Sequence, residues 1–85
     1  MSVKEAVIFI SNNCEKCDDL LEQLDAWNIS YETKNVTDNR EYMKELQDQG
    51  VYGTPATFVK NGSRVILGLQ FNRIKQALGV NGASF

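Results

Sequence analysis

The chain has 85 residues and a formal net charge of −2, from 9 Lys and Arg against 11 Asp and Glu. This length predicts a single domain, and 42% hydrophobic with 24% charged residues is typical of a globular rather than a disordered chain. The Lys and Arg residues are scattered, which excludes the basic stripe of a nucleic-acid-binding protein. No apolar run approaches the roughly 18 residues of a membrane helix, so we expect neither a nucleic acid nor a membrane as partner.

The first apolar run, Val7 to Ile10, is too short for the core of a signal peptide. We therefore expect a soluble, cytoplasmic protein. The interpretation is one domain over residues 1–79, followed by a loosely ordered tail over residues 80–85. We expect this domain to be a monomer.

The first two predicted elements are a strand and a helix. Glu5 to Ile10 is an uninterrupted β-rich run, which favours a central strand covered on both faces. Asn12 or Asn13 is expected to cap the helix that follows. Its apolar residues recur at spacings of three and four, which is one face of a helix: Cys17, Leu20, Leu21, Leu24 and Trp27.

The middle of the chain predicts an edge strand and a second helix. Ser30 to Val36 is β-rich but carries charged residues, as befits the edge of a sheet. Thr37 or Asp38 is expected to cap the next helix, and Gly50 to end it.

The last third predicts a hairpin and a final helix. Ala56 to Val59 and Arg64 to Leu67 are strands on either side of an Asn-Gly pair, a strong signal for a tight turn. Phe71, Ile74 and Leu78 follow at helical spacing. The order β-α-β-α-β-β-α predicts a parallel first unit and antiparallel later strands, with two helices on one face of the sheet and one on the other.

Cys14 and Cys17, the only cysteines, stand three residues apart at the strand-to-helix junction. A helix that begins at about Cys14 would present unpaired N–H groups and a positive dipole to its sulfur, and such settings lower the pKa of the first thiol to roughly 3.5–7.5. Cys17 lies on the apolar face and should be more buried. This pattern predicts an exposed nucleophile and a shielded resolving thiol.

Two other interpretations of the cysteines stay open. Zinc usually takes four ligands, and the chain has two cysteines and no histidine, so we predict no metal site within one chain. A site shared between two chains is compatible with the residues. The pair is also compatible with two inert cysteines.

A second stretch, Val51 to Phe58, contains the only proline, Pro55, directly before a strand. Base rates favour a trans bond there. A cis Thr54–Pro55 bond would leave the backbone of Thr54 free to pair with an extended substrate. Tyr52 either lines such a groove or packs.

Together, the strand, the Cys-x-x-Cys at a helix start and the Thr-Pro before a hairpin and last helix resemble the thioredoxin superfamily. The short length and early motif resemble glutaredoxin and the glutaredoxin-like hydrogen donors of ribonucleotide reductase. The resemblance covers the chain to about Gly79. It implies an α/β, thioredoxin-like fold with a four-stranded mixed sheet flanked by three helices.

The resemblance also implies roles for site residues. Cys14 would be the nucleophile, Cys17 the resolving thiol, Pro55 a cis proline facing the cysteines, and Thr54 the partner of the substrate backbone. The predicted substrate groove is completed by seven further residues: Asn13, Glu15, Lys16, Tyr52, Gly68, Leu69 and Gln70.

The chain departs from the family pattern at three places. Glu15-Lys16 replaces the Pro-Tyr of many glutaredoxins, and Ser11 to Asn13 lacks the lysine that many place before the first cysteine. Gly68 to Asn72 lacks the second glycine and both residues of the acidic pair that typical glutathione binders carry. We therefore expect weak binding of glutathione. Separately, we expect no bound cofactor.

The predicted function is thiol–disulfide oxidoreduction by dithiol exchange through the Cys-Glu-Lys-Cys motif, on protein or small-molecule disulfides. Electrons would come from glutathione or from an NADPH-dependent reductase. Three alternatives remain: a ribonucleotide-reductase-type donor served by a flavoenzyme, an iron–sulfur cluster module in which two chains hold the cluster through Cys14 and outside thiols, and a redox sensor.

Overall fold

Residues 5–59 and 62–79, which the computed structural model describes, form seven elements in the predicted order. The predicted tail and the first two residues of the predicted hairpin turn lie outside the described residues. The elements are β1 Ala6–Ile10, α1 Glu15–Ala26, β2 Tyr31–Asn35, α2 Arg40–Asp48, β3 Ala56–Val59, β4 Arg64–Leu67 and α3 Phe71–Leu78.

The strands form one mixed sheet in the order β2-β1-β3-β4. β1 pairs parallel with β2, with Ala6 opposite Tyr31, and antiparallel with β3, with Ala6 opposite Val59. β3 and β4 form the antiparallel hairpin. The continuous apolar run of β1 therefore occupies an interior position and β2 an edge, as the sequence predicts.

Alternate residues of the central strands supply two cores, one on each face of the sheet. The first core joins Ala6 and Ile8 of β1 to the buried residues of α1 and α3. The second joins Phe9 of β1 and Phe58 of β3 to Leu46 of α2. This confirms the prediction of two helices on one face and one on the other, and it confirms the thioredoxin-like fold.

The predicted cap of α1 is wrong. The cap is Cys14, whose backbone is extended and whose Sγ accepts the N–H of Cys17. Asn13 has a left-handed backbone with φ 56°, which a helix cap does not adopt. The side chain of Asn12 instead accepts a hydrogen bond of 3.0 Å from the amide of Asn35.

The predicted cap of α2 is also displaced. Asn39 caps the helix, and its side chain accepts the N–H of Glu41 at 2.9 Å. Asn35 Oδ1 accepts the N–H groups of Thr37 and Asp38 at 2.8 and 3.1 Å. These bonds hold residues 37–38 in a turn, so the helix starts later than predicted.

No helix within the described residues is both long enough and apolar enough to cross a membrane.

Candidate active site

Cys14 and Cys17 are joined by a disulfide, with their Cα atoms 5.2 Å apart. This separation lies within the usual range of about 4.4–6.8 Å for bonded cysteines. The strand β1 delivers the chain to the start of α1, and one helical turn then places the second sulfur beside the first. The pair can therefore exist as a disulfide without a change of backbone path.

The two sulfurs differ in their access to solvent. Cys17 is 1% exposed because it lies on the face of α1 that carries the buried Leu20 and Leu24. Cys14 precedes the helix and is only half-buried. A reagent from solvent therefore meets Cys14 first, which agrees with the roles that the sequence predicts.

The start of α1 favours a negative charge on Cys14. Its Sγ accepts the backbone N–H of Cys17 at 3.1 Å, and it lies at the positive end of the helix dipole. Glu15 and Asp18 in the first turn stabilise the helix but oppose a thiolate beside it. Both carboxylates are exposed, so solvent screens this opposition.

Thr54 and Pro55 lie in the loop before β3, beside the disulfide. The Thr54–Pro55 peptide bond is cis, which confirms what the resemblance implies. Thr54 Oγ1 lies 4.0 Å from Cys14 Sγ. Thr54 Oγ1 also lies 2.7 Å from Ser11 Oγ, at the end of β1.

Ser11 is a site residue that sequence reasoning missed. In the sequence, Ser11 stands out only because many family members place a lysine near this position. Its hydroxyl meets Thr54 across 43 residues of sequence, so no local pattern reveals the contact. The only available signal was a hydroxyl side chain directly after β1 and three residues before Cys14.

The turn between β4 and α3 is tied to the proline loop. The N–H of Gly68 donates to the carbonyl oxygen of Pro55 at 3.0 Å. Leu69 is half-buried and packs against the first core, so its side chain is partly withdrawn from solvent. Gln70 Nε2 donates to the carbonyl oxygen of Leu67 at 2.6 Å. Their part in a substrate groove stays a prediction.

The remaining predicted groove residues are on the surface. Asn13, Glu15 and Lys16 are exposed. Tyr52 is 77% exposed, so the interpretation that it packs is wrong, and a ring this exposed next to the proline loop is available to a partner. The substrate roles of these four residues stay predictions.

A cavity elsewhere in the molecule contains none of the predicted site residues. Its volume is about 340 Å³, and it lies on the α2 side of the sheet between residues such as Phe9, Lys34 and Phe58. Among residues 5–59 and 62–79, no three Cys, Asp or Glu side chains are grouped so as to hold a metal ion.

Known structures share this fold. A mutant of the thioredoxin-like protein BC3987 is 24% identical with a TM-score of 0.79, covering 92% of this chain and 99% of that one. A glutaredoxin from Archaeoglobus fulgidus is 19% identical with a TM-score of 0.71, covering 91% and 88%. The reduced C-terminal domain of Neisseria meningitidis DsbD is 21% identical with a TM-score of 0.62, covering 88% and 77%.

Sequence comparison identifies the family. No curated protein matches the chain significantly. The glutaredoxin family model matches residues 6–65, which include the cysteine pair and the Thr54–Pro55 bond. A match over this much of the chain, together with a disulfide at the family's motif and a fold shared with a glutaredoxin, supports thiol–disulfide chemistry. The chain belongs to the glutaredoxin family.

Proposed function

We propose that the chain is a dithiol thiol–disulfide oxidoreductase in which Cys14 is the nucleophile and Cys17 the resolving thiol. The observation that carries the proposal is the unequal exposure of two bonded sulfurs, with Cys17 at 1% and Cys14 half-buried. A substrate disulfide approaching from solvent can contact Cys14. It cannot contact Cys17 without opening the core.

The proposed cycle has two exchange steps. The Cys14 thiolate attacks a substrate disulfide, forms a mixed disulfide with one substrate sulfur, and releases the other as a thiolate. Cys17, deprotonated, then attacks Cys14 Sγ, which forms the Cys14–Cys17 disulfide and releases the second substrate thiolate. The two electrons and two protons of the dithiol end on the substrate, and the chain is left in the disulfide state that the structure shows.

An external reductant must then return two electrons to the pair. We propose an NADPH-dependent flavoenzyme rather than glutathione. The turn that would meet the charged ends of glutathione, Gly68 to Asn72, carries no charged side chain. A cycle that starts from reduced thiols works in a reducing compartment, which supports a cytoplasmic location. We further propose that the chain acts as a monomer and needs no resident cofactor.

Two coupled assays on the same protein disulfide, with insulin as substrate, test the proposal. One supplies electrons from NADPH through glutathione reductase and glutathione, and the other from NADPH through a thioredoxin-reductase-type flavoenzyme. We expect turnover in the flavoenzyme arm and little in the glutathione arm. Turnover confined to the glutathione arm would overturn the choice of reductant.

The chemistry itself is tested by removing one sulfur. Cys14→Ser should lose turnover in both arms, because the buried Cys17 cannot reach the substrate. Glu22→Ala is the matched control, since it alters an exposed side chain of α1 outside the predicted groove without removing a sulfur. Full activity of Cys14→Ser would contradict the proposed function.

A further inference from the structure

The Ser11 hydroxyl is connected to the disulfide through Thr54, and the proposed cycle gives it no role. Its oxygen is 2.7 Å from Thr54 Oγ1, and Thr54 Oγ1 is 4.0 Å from Cys14 Sγ. Both hydroxyl side chains are half-buried, so water competes with these contacts less than at the open surface. A continuous path of polar contacts therefore joins the end of β1 to the proposed nucleophile.

The chemistry of hydroxyl groups gives this path a direction. Each hydroxyl has one proton to donate and lone pairs to accept with. If Thr54 donates its proton to the sulfur, its oxygen is free to accept the proton of Ser11. A thiolate attracts a donor far more strongly than the uncharged sulfur of a disulfide, so reduction favours the order Ser11 to Thr54 to Cys14. Hydrogen bonds arranged in series also polarise one another.

The charged groups near Cys14 do not supply a better partner. The segments at 11–13 and 68–70 carry no titratable side chain, and the loop before β3 contributes only Tyr52. The first turn of α1 carries two acids, Glu15 and Asp18, against one base, Lys16. The side chains around a Cys14 thiolate are thus net acidic, which leaves neutral donors to stabilise it.

We propose that Ser11 is a positioning residue, which orients the Thr54 hydroxyl as a hydrogen-bond donor to the Cys14 thiolate. This inference rests on the proposed function, because it concerns the thiolate of that cycle. Two hydroxyls take the place of a cationic side chain. A neutral relay of this kind stabilises the thiolate without adding a positive charge to the surface that substrates meet.

The test is the pH dependence of Cys14 alkylation by iodoacetamide in the reduced full-length chain. Cys17 is buried, so the fast reaction reports on Cys14. Thr54→Val should raise the apparent pKa of Cys14 by about 1 unit, the order expected for loss of one bond to a charged group. Ser11→Ala should raise it by about 0.5 units, which is roughly threefold slower alkylation below the pKa.

Two kinds of control accompany these variants. Ser11→Thr keeps the hydroxyl and should restore the wild-type pKa, which a merely structural role for Ser11 would not require. Thr33→Val and Ser63→Ala remove exposed hydroxyls away from the disulfide, on β2 and in the turn before β4, and should leave the pKa unchanged.

Three results would overturn the relay: a wild-type pKa in Ser11→Ala, a wild-type pKa in Thr54→Val, or failure of Ser11→Thr to restore what Ser11→Ala loses. A different result would contradict the proposed function, namely disulfide reduction by Cys14→Ser. The alkylation result does not depend on which substrate or reductant the chain uses, so the two failures are distinguishable.

Discussion

The backbone N–H of Gly68 donates a hydrogen bond of 3.0 Å to the carbonyl oxygen of Pro55. This bond fastens the turn before α3 to the loop that holds Thr54. Pro55 directly precedes Ala56, and Gly68 directly follows Leu67. Ala56 and Leu67 lie opposite each other in the hairpin of β3 and β4. The proline loop and the turn before α3 therefore lie at the same end of the sheet. The position of this turn depends on the conformation of Gly68.

Gly68→Ala should lower the free energy of unfolding by about 1 kcal/mol. Gly68 has φ 70°, a left-handed conformation that costs an L-residue about 1–2 kcal/mol. An added Cβ meets nothing within 4 Å, so strain in the backbone is the only new cost. Chemical denaturation measures the loss. Gly53→Ala is the matched control, because Gly53 also has open space but no positive φ. Equal stability of the two variants would contradict the prediction.

Cys17→Ser should trap the chain in a mixed disulfide with its substrate. Cys14 keeps its place at the start of α1 and still attacks, but no second sulfur is available to release the adduct. Mass spectrometry after incubation with a disulfide substrate, without added thiol, should show a stable adduct at Cys14. Cys14→Ser should show none. Normal turnover of Cys17→Ser on protein disulfides without added thiol would refute the resolving role.

Thr57→Val should stabilise the fold by about 1 kcal/mol. Thr57 is fully buried in β3, and among the residues that the structure describes its hydroxyl has no hydrogen-bond partner. An unpaired buried hydroxyl costs about 1–3 kcal/mol, and valine has nearly the same shape. Thermal or chemical unfolding of the reduced chain measures the gain. Thr33→Val on the exposed part of β2 should change little. A loss of stability in Thr57→Val would show that the hydroxyl is satisfied.

Tyr31→Phe should make unfolding less sensitive to alkaline pH. Burial raises the pKa of Tyr31, and the hydrogen bond to Asp25 at 2.8 Å and the negative charge of that carboxylate raise it further. The folded chain therefore holds the phenol proton more tightly than the unfolded chain. The resulting stability is complete below the ordinary tyrosine pKa of about 10 and is lost as the pH rises through the raised value.

The measurement is the free energy of unfolding across the alkaline range. Tyr31→Phe should be less stable by about 0.5 kcal/mol at neutral pH, through loss of one exposed hydrogen bond. Above a pH of about 10, the free energy of unfolding should decrease less in Tyr31→Phe than in the wild type. Thr33→Val, which removes an exposed hydroxyl of β2 that does not ionise, should follow the wild-type profile. Parallel profiles for Tyr31→Phe and the wild type would contradict the assignment.

The elements and the sheet were predictable because their signals are local. A few neighbouring apolar residues predict the strand β1, and an Asn-Gly pair predicts the hairpin of β3 and β4. The helix starts were not. The sulfur of Cys14 caps α1 in place of Asn12 or Asn13. At α2, the side chain of Asn35 holds the residues after it in a turn, so that Asn39 caps the helix.

Some features of the candidate site are likewise predictable from the sequence, and others are not. The spacing of Cys14 and Cys17 is visible in the sequence, and the cis bond at Pro55 follows from the family resemblance. The contact between Ser11 and Thr54 depends on the antiparallel pairing of β1 with β3, which brings distant residues to one end of the sheet. A sequence shows that two hydroxyls exist, but only the assembled sheet shows that they meet.

Cys14 caps α1 with the same atom that changes partner during the proposed cycle. The strength of that cap then depends on the oxidation state: a thiolate holds the Cys17 N–H more firmly than a sulfur in a covalent bond does. Conversely, whatever loosens the first turn of the helix also withdraws support from the reduced form. Substitutions of Glu15, Lys16 or Asp18 that are chosen only for helix propensity will therefore also shift the balance between dithiol and disulfide.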